Sequence, residues 1–301
     1  MRSLLLGLLC LLWSGCATLP ALDPLPGEPK TIASPRARTT VHQLLLAGPA
    51  ERLPIVLLHP WAADLRIWSL VAPVLQKERT VLLIDLPGHG ASGHPPGRYP
   101  PRRLAQAVLD AMHQAGISRA IVVGNSLGGA TTLALEELAP EVTAGLVLIG
   151  APGGLPVPAA LKSMARRATA ARVLSSVSPS SLSWAVHYAA SSFAPGVAML
   201  AKDIAAARTE AWPAAAPALS SALSEVMDWA PELERIHKPV LVLAGEDDVI
   251  VPLAAQRAIA TRIDGAALVT LERCGHFPEV DCPAAFLQAL APFLRRLDGP
   301  R

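Results

Sequence analysis

The fold of this chain is decided by the stretch Ala120-Ile121-Val122-Val123-Gly124-Asn125-Ser126-Leu127-Gly128-Gly129-Ala130-Thr131-Thr132-Leu133-Ala134-Leu135. A β-branched run ends in a glycine-rich turn and continues as an Ala/Leu-rich run, which predicts a strand, a tight turn and a helix. Glycine is needed at 124 and 128 because a side chain there would collide with the neighbouring backbone. We expect the turn to hold Ser126 Oγ above the end of a sheet, within reach of a base.

Length and composition indicate one globular domain. The chain has 301 residues, of which 51% are hydrophobic and 17% are charged, and its formal net charge is +2. These values suit a domain of about 250 residues that carries an inserted subdomain. A net charge near zero, without basic runs, argues against nucleic acid as a partner.

The N-terminus has the pattern of a targeting segment, and residues 1–16 are predicted to be a signal peptide. The apolar run over residues 4–13 is shorter than the roughly 20 residues that span a bilayer. Ser14-Gly15-Cys16-Ala17 resembles a bacterial lipoprotein cleavage box with Cys16 as the lipidated residue, although Trp13 stands where an aliphatic residue is usual. The alternative is ordinary cleavage after Ala17. Both predict export to the cell envelope, and lipidation predicts a membrane anchor.

Residues 17–38 are rich in proline and have no apolar periodicity. They predict an extended, semi-rigid tether between the anchor and the domain. The mature domain keeps two cysteines, Cys274 and Cys282, eight residues apart. In an exported protein these residues either form a disulfide or remain two buried thiols, and the spacing does not decide between them.

Short apolar runs alternate with helical patterns along the rest of the chain, which predicts a mostly parallel sheet covered by helices on both faces. Besides the strand that leads to Ser126, the predicted strands are Thr39–Leu46, Ile55–Leu58, Val81–Ile84, Ala144–Ile149, Pro239–Ala244 and Ala267–Leu271. The predicted helices lie near Leu65–Gln76, Arg102–Ala115, Leu253–Arg262 and Ala284–Leu297. This alternation assigns residues 39–152 and 238–301 to an α/β core.

Residues 153–237 break the alternation and predict an inserted helical cap over the strand ends. The cap contains Ala/Ser/Leu-rich helical patterns punctuated by proline. Its large apolar residues either line an acyl pocket or pack the cap onto the core. These residues are Trp184, Phe193, Met199, Trp212 and Trp229.

Several motifs at the predicted strand ends give the chain a resemblance to the α/β-hydrolase family over about residues 40–297. They are His59, Asp85-Leu86-Pro87-Gly88-His89-Gly90, Gly124-Asn125-Ser126-Leu127-Gly128, Gly245-Glu246-Asp247-Asp248-Val249-Ile250-Val251-Pro252 and Gly275-His276-Phe277-Pro278. The resemblance implies an α/β-hydrolase fold with a mostly parallel central sheet, flanking helices and a helical cap. The family's chain order of serine, acid and histidine implies Ser126, Asp248 and His276 as the catalytic triad.

The chemistry of the residues agrees with this assignment. A serine hydroxyl needs a base, and His276 lies in a Gly-His loop directly after the last strand. The family spacing Gly-x-x-Asp-x-x-x-Pro selects Asp248 as the acid and leaves the adjacent Asp247 as a loop or capping residue. We expect His59 to brace the oxyanion loop and Asp85 to hold neighbouring loops together.

An oxyanion hole needs two backbone N–H donors. One is predicted at Leu127, directly after the nucleophile, and the other at Trp61 in the loop that follows His59. The family usually has glycine after that histidine, whereas this chain has Pro60, which has no N–H and a fixed φ. This loop therefore departs from the family pattern, and Trp61 is its first N–H donor after His59.

These assignments predict a serine hydrolase that cleaves a carboxylic ester, and the expected membrane anchor and apolar cap favour a medium-chain or lipid-like substrate. The enzymatic alternatives on the same fold are a C–C bond hydrolase, an acyltransferase and a perhydrolase. The alternative from another class is a non-catalytic binding module of the cell envelope. We expect no cofactor and no metal, because His59, His89 and His94 are spread over a loop region without a close ligand pair. The sequence leaves the oligomeric state open.

Overall fold

The computed structural model describes residues 25–153, 159, 163 and 212–299. Within them, eight strands form a single sheet: β1 Pro29–Ser34, β2 Thr39–Leu46, β3 Ile55–Leu58, β4 Val81–Ile84, β5 Ala120–Asn125, β6 Thr143–Ile149, β7 Val240–Gly245 and β8 Ala267–Leu271. The strand order is β1-β2-β4-β3-β5-β6-β7-β8. Only the β1–β2 and β2–β4 pairs are antiparallel, so the sheet is mostly parallel as predicted.

The α-helices of the described residues are α1 Ala72–Gln76, α2 Pro101–Gln114, α3 Leu127–Leu138, α4 Trp212–Asp228, α5 Leu253–Arg262, α6 Pro278–Asp281 and α7 Pro283–Asp298. Short 3-10 turns lie at Leu65–Trp68, Pro140–Val142 and Leu233–Arg235. None of the helices in this part of the chain is long and apolar enough to cross a bilayer.

The central strands are buried on both faces because helices cover the sheet from both sides. Every residue of β3, β4, β5 and β6 is buried. Alternate side chains enter different cores: Leu57 and Val123 pack with α1 and α7, whereas Val56 and Val122 pack with α2 and α3. This arrangement explains why the strands read as uninterrupted apolar runs.

The helix predicted over Leu65–Gln76 is wrong as a single element. The structure has the 3-10 turn Leu65–Trp68 and the separate short helix α1 instead. Pro73 lies in the first turn of α1, where its missing N–H is tolerated. In the interior of a continuous helix the same residue would lose a hydrogen bond and clash with the preceding turn.

The predicted tether is also wrong in its second half, because β1 lies within residues 17–38 and pairs with β2. Ile32 lies opposite Val41, and Ser34 Oγ donates a 2.7 Å hydrogen bond to Asp110 Oδ2 on α2. Proline occupies the start of β1 and the position after its end, and an edge strand tolerates proline at both places. The sheet therefore begins ten residues before the predicted core.

Most of the predicted cap lies outside the described residues, as do the signal peptide and Cys16. The same holds for Trp184, Phe193, Met199 and the side chain of Trp212. Trp229, by contrast, is described, and it packs against apolar clusters of the α/β core. The helix α4 belongs to the predicted cap range and contacts both α2 and α3.

Candidate active site

Ser126 occupies a strained turn between β5 and α3. Its φ of 53° and ψ of −110° lie in a region that non-glycine residues rarely adopt. A Cβ on Gly124 would lie 2.2 Å from the carbonyl oxygen of Gly128, and one on Gly128 would lie 2.1 Å from that of Leu58. The predicted reason for both glycines is therefore confirmed. The Ser126 N–H donates to Ile149 O over 2.8 Å, which ties the turn to the end of β6.

The structure brings Asp248 and His276 into contact. Asp248 Oδ2 lies 2.8 Å from His276 Nδ1, and the two residues are 7% and 3% exposed. The other carboxylate oxygen, Oδ1, accepts hydrogen bonds of 2.9 Å from the N–H groups of Ile250 and Val251. Asp247 is exposed instead, and its N–H donates to the loop that leads to the histidine. Only Asp248 is placed to orient the imidazole.

Gly150, the residue after β6, marks the point where the three predicted triad residues converge. A Cβ on Gly150 would lie 2.7 Å from His276 Cε1 and 3.2 Å from Asp248 Oδ2. The preceding residue, Ile149, accepts the N–H of Ser126. The serine turn and the Asp248–His276 pair therefore lie on the same strand end, and only a glycine at 150 leaves room for the histidine ring.

The first oxyanion candidate, Leu127, is the first residue of α3. The N–H groups in the first turn of a helix have no acceptor within that helix, and the helix dipole favours negative charge there. The next residue, Gly128, lies against the loop after β3, since a Cβ on it would be 3.0 Å from His59 O. The two loops that carry the predicted donors are thus neighbours.

The second candidate, Trp61, lies in a tight turn closed by a 3.2 Å hydrogen bond from Ala63 N–H to Pro60 O. Ala62 takes a positive φ of 58° in this turn. The indole of Trp61 donates from Nε1 to Leu219 O on α4 over 2.8 Å. The loop that contains Pro60 is therefore held from both sides, by its own turn and by α4.

His59 braces this loop in a defined tautomer. Its Nε2 accepts the Leu86 N–H over 2.9 Å, so this nitrogen carries no proton. The proton is on Nδ1, which lies 2.8 Å from Pro60 O and donates to it. Because the ring is fully buried and both nitrogens have these roles, His59 is a structural residue and is not available as the base.

Asp85 ties loops together as expected. Its Oδ1 accepts the Leu65 N–H over 2.7 Å and its Oδ2 accepts the Ala91 N–H over 2.8 Å. Its own carbonyl accepts the Ser92 hydroxyl over 2.6 Å. A buried carboxylate whose two oxygens are engaged in this way supports the loops around the site.

Cys274 and Cys282 form a disulfide, which resolves the alternative that the sequence left open. The bond closes the segment that contains His276 and α6. Among the residues that the structure describes, no three His, Cys, Asp or Glu side chains lie together in a way that could hold a metal ion.

Sequence reasoning missed one buried pair directly beneath the serine turn. The side-chain amide of Asn125 donates to the carbonyl oxygen of His276 and to the carboxyl group of Glu279. The available signal was a glutamate inside the otherwise apolar run Phe277-Pro278-Glu279-Val280. A buried glutamate does not by itself indicate its partner, Asn125, which lies more than 150 residues earlier in the chain.

Fold and site together define an α/β hydrolase. The model of the alpha/beta hydrolase family matches residues 55–289, and the chain belongs to this family as a hydrolase. A pimeloyl-[acyl-carrier protein] methyl ester esterase of Aromatoleum aromaticum is 31% identical over 77% of this chain and 94% of its own length. A putative carbamate hydrolase, RutD, of Pseudomonas syringae is 30% identical over 84% of this chain and 98% of its own. A thermophilic esterase of Thermogutta terrifontis superimposes with a TM-score of 0.78 at 21% identity, over 91% of this chain and the whole of that one.

Proposed function

We propose that this hydrolase cleaves carboxylic esters through Ser126, His276 and Asp248, by way of an acyl-enzyme. The observation that carries the proposal is the buried 2.8 Å contact between Asp248 Oδ2 and His276 Nδ1 at the strand end that also holds the serine turn. A carboxylate that accepts from Nδ1 keeps the proton on that nitrogen. His276 Nε2 is then free to act as the general base.

The reaction follows from these positions. Ser126 Oγ attacks the ester carbonyl carbon while His276 Nε2 takes its proton. The developing oxyanion accepts hydrogen bonds from the backbone N–H groups of Leu127 and Trp61. His276 then gives the proton to the departing alkoxide, which leaves as the alcohol. A water molecule repeats the sequence on the acyl-enzyme, releasing the acid and restoring the serine.

The esterase and the putative carbamate hydrolase that this chain resembles support a substrate with a carbonyl group. A methyl ester and a carbamate both present a carbonyl carbon to a nucleophile, and the relatives align with most of this chain. Apolar residues of α4 pack beside Trp61, namely Ala215, Ala216 and Leu219. With the membrane anchor proposed below, this apolar setting beside Trp61 supports an ester with an apolar acyl group of medium length.

Active-site labelling tests the proposal. The wild type is expected to react with a fluorophosphonate probe and to hydrolyse p-nitrophenyl esters, whereas Ser126→Ala loses both activities. Ser118→Ala is the matched control because this serine is exposed and lies before β5. A folded wild type that neither labels nor turns over any ester in a chain-length series contradicts the proposal.

We further propose that the chain is exported and anchored to a membrane of the bacterial envelope through lipidated Cys16. The apolar N-terminal run and its cleavage box support export. The Cys274–Cys282 disulfide also supports it, since such bonds persist in oxidising compartments. Because β1 begins at Pro29, the tether would be residues 17–28 and reach about 37 Å at ~3.1 Å per residue.

Mass spectrometry of the mature N-terminus tests the anchor. The expected result is a chain that starts at Cys16 and carries acyl groups. Cys16→Ser is expected to release the protein from membranes while leaving its esterase activity intact. A mature chain that starts at an unmodified Thr18 would contradict lipidation and leave export by ordinary cleavage.

A further inference from the structure

Asn125, Glu279 and the carbonyl group of His276 form a buried hydrogen-bonded bracket under the nucleophile turn. The bracket connects this turn to the histidine loop. Asn125 Nδ2 lies 3.0 Å from His276 O, 2.8 Å from Glu279 Oε1 and 3.0 Å from Glu279 Oε2. Asn125 and Glu279 are both fully buried. Asn125 directly precedes Ser126, and the two acceptors lie on the segment that the disulfide closes. The bracket therefore spans the two parts of the site that must keep their relative position.

The orientation of the amide follows from its partners. A carbonyl oxygen can only accept, so the atom that faces His276 O has to be the amide nitrogen. The amide oxygen, Oδ1, has no hydrogen-bond partner within the part of the chain that the structure describes. Asn125 therefore acts as a donor whose two hydrogens are shared between a backbone carbonyl and one carboxyl group.

The surroundings of Glu279 disfavour a charge. The helix α6 packs against α7 and against the 3-10 turn Leu65–Trp68, and these elements meet it with buried apolar side chains. Burial raises the pKa of the Glu279 carboxyl to about 8, and the nearby carboxylate of Asp281 adds to the rise, while its own backbone N–H and Asn125 oppose it. At neutral pH the carboxyl is therefore mostly protonated.

The charged groups on the surrounding elements do not supply Glu279 with a cation. His276 contacts Asp248 through Nδ1, and the Arg66 guanidinium of the 3-10 turn is bound by Asp64. The basic residues of α7 lie in its last turn, far along the helix from α6. The charged and titratable groups on the elements packed against Glu279 are Asp281 on α6, Arg66 on the 3-10 turn, and Arg295, Arg296 and Asp298 at the far end of α7, with Asp248 and His276 in the adjoining loops.

We propose that Glu279 is a positioning residue that, while uncharged, holds the His276 loop against the nucleophile turn through Asn125. The inference rests on the ester hydrolysis proposed above and adds a pH-dependent control to that site. Glu279 touches no reacting atom, and its effect reaches the chemistry through the position of the imidazole.

Ionisation of Glu279 breaks the bracket in two ways. A carboxylate accepts the Asn125 N–H more strongly than a neutral carboxyl group does, which draws the amide toward Glu279 and lengthens its hydrogen bond to His276 O. A buried carboxylate without a cation also gains free energy by reaching water, which draws α6 away from the turn. Both effects displace His276 from Ser126, so turnover falls as the pH rises through the pKa of Glu279.

The test is the dependence of kcat/KM on pH with an activated p-nitrophenyl ester. For the wild type we expect kcat/KM to fall about tenfold between pH 7 and pH 9, as a group with a pKa near 8 loses its proton. Glu279→Gln, which mimics the uncharged carboxyl, is expected to keep the wild-type value at pH 7 and to stay level up to pH 9. Glu272→Gln is the matched control in the same loop, since that side chain is exposed, and it should retain the alkaline fall.

A second variant keeps the test decisive if Glu279→Gln does not fold. Asn125→Ala removes the link itself and is expected to lower kcat at every pH and to leave KM unchanged. An alkaline fall that persists in Glu279→Gln overturns the inference, and so does an Asn125→Ala variant that keeps the wild-type kcat at pH 7. So does a wild type whose kcat/KM stays constant between pH 7 and pH 9. These outcomes are distinct from failure of the proposed function, in which the wild type neither labels nor turns over at any pH.

Discussion

At the scale of single residues, Asp247 and Asp248 show how one step along the backbone changes the role of a carboxylate. Asp247 is exposed to solvent, whereas Asp248 is buried, binds His276 Nδ1 and accepts two backbone N–H groups. Successive side chains in an extended loop point in different directions, so only one of the pair can face the imidazole. The backbone donors leave Asp248 Oδ2 as the oxygen that holds the histidine.

Replacing these two acids separately is expected to have very different effects. Asp248→Asn presents an amide to His276 and disfavours the tautomer with its proton on Nδ1, so kcat should fall by about 10⁴-fold. Asp247→Asn should change kcat little, because its side chain is in solvent. Steady-state kinetics with p-nitrophenyl acetate measure both variants. A large loss in Asp247→Asn with little change in Asp248→Asn would move the acid by one residue.

Motif spacing was sufficient to nominate Ser126, Asp248 and His276, because their roles depend on local turns that the sequence encodes directly. The partners of Glu279 were not predictable in this way. Its chemistry depends on Asn125, 154 residues earlier in the chain, and on how completely α6 and α7 exclude water. A buried acid cannot be distinguished from a surface acid without that tertiary context.

At the scale of elements, the segment from Cys274 to Cys282 is a closed unit that carries His276, the proposed base. It contains His276 and α6, and the disulfide joins its ends with Cα atoms 5.9 Å apart. Gly275 N–H donates to Asp281 Oδ2 over 3.0 Å, which adds a second link across the same segment. A closed unit of this kind restricts the positions that the imidazole can take.

Opening the disulfide is therefore expected to reduce both activity and stability. In the chain-entropy account a closed loop of this length contributes roughly 2–3 kcal/mol, and Cys274→Ser/Cys282→Ser should lose that amount. The kcat of the reduced wild type should fall towards that of the double variant. Thermal unfolding and ester kinetics, with and without a phosphine reductant, measure the two effects. The double variant is the control, since a reductant effect that persists in it would not come from this bond.

Element boundaries could be predicted from the sequence where a run of apolar residues ends at a turn. The bounds of β2, β3, β4, β8 and α5 agree with the sequence-based expectation, because apolar runs and flanking turns define them. The helix predicted near residue 65 is two pieces because Pro73 starts a new helix, although the pattern of apolar residues continues across it. Here backbone chemistry outweighs side-chain periodicity.

At the scale of the whole molecule, the parallel order of β3 to β8 places the carboxyl ends of the strands at one edge of the sheet. The serine turn follows the central strand β5, and the Asp248 and His276 loops follow β7 and β8. Open α/β sheets bind their ligands at this edge. The alternation of strands and helices was enough to predict this architecture from the sequence.

The start of the domain was predicted less well. Proline density over residues 17–38 indicated a tether, yet β1 lies within this range and forms the edge strand next to β2. Asp110 on α2, a distant neighbour, accepts hydrogen bonds from both Ser34 and Arg36 at the end of β1. Composition alone cannot predict this contact.

Among the described strands, β7 and β8 come last in sequence order and lie together at one side of the sheet, which has a consequence for biosynthesis. A ribosome completes β1 to β6, and with them the serine turn, well before it adds the loops that carry Asp248 and His276. On the proposed mechanism, a nascent chain of this length carries Ser126 but lacks its general base. A product truncated before β7 is therefore expected to be inert toward esters.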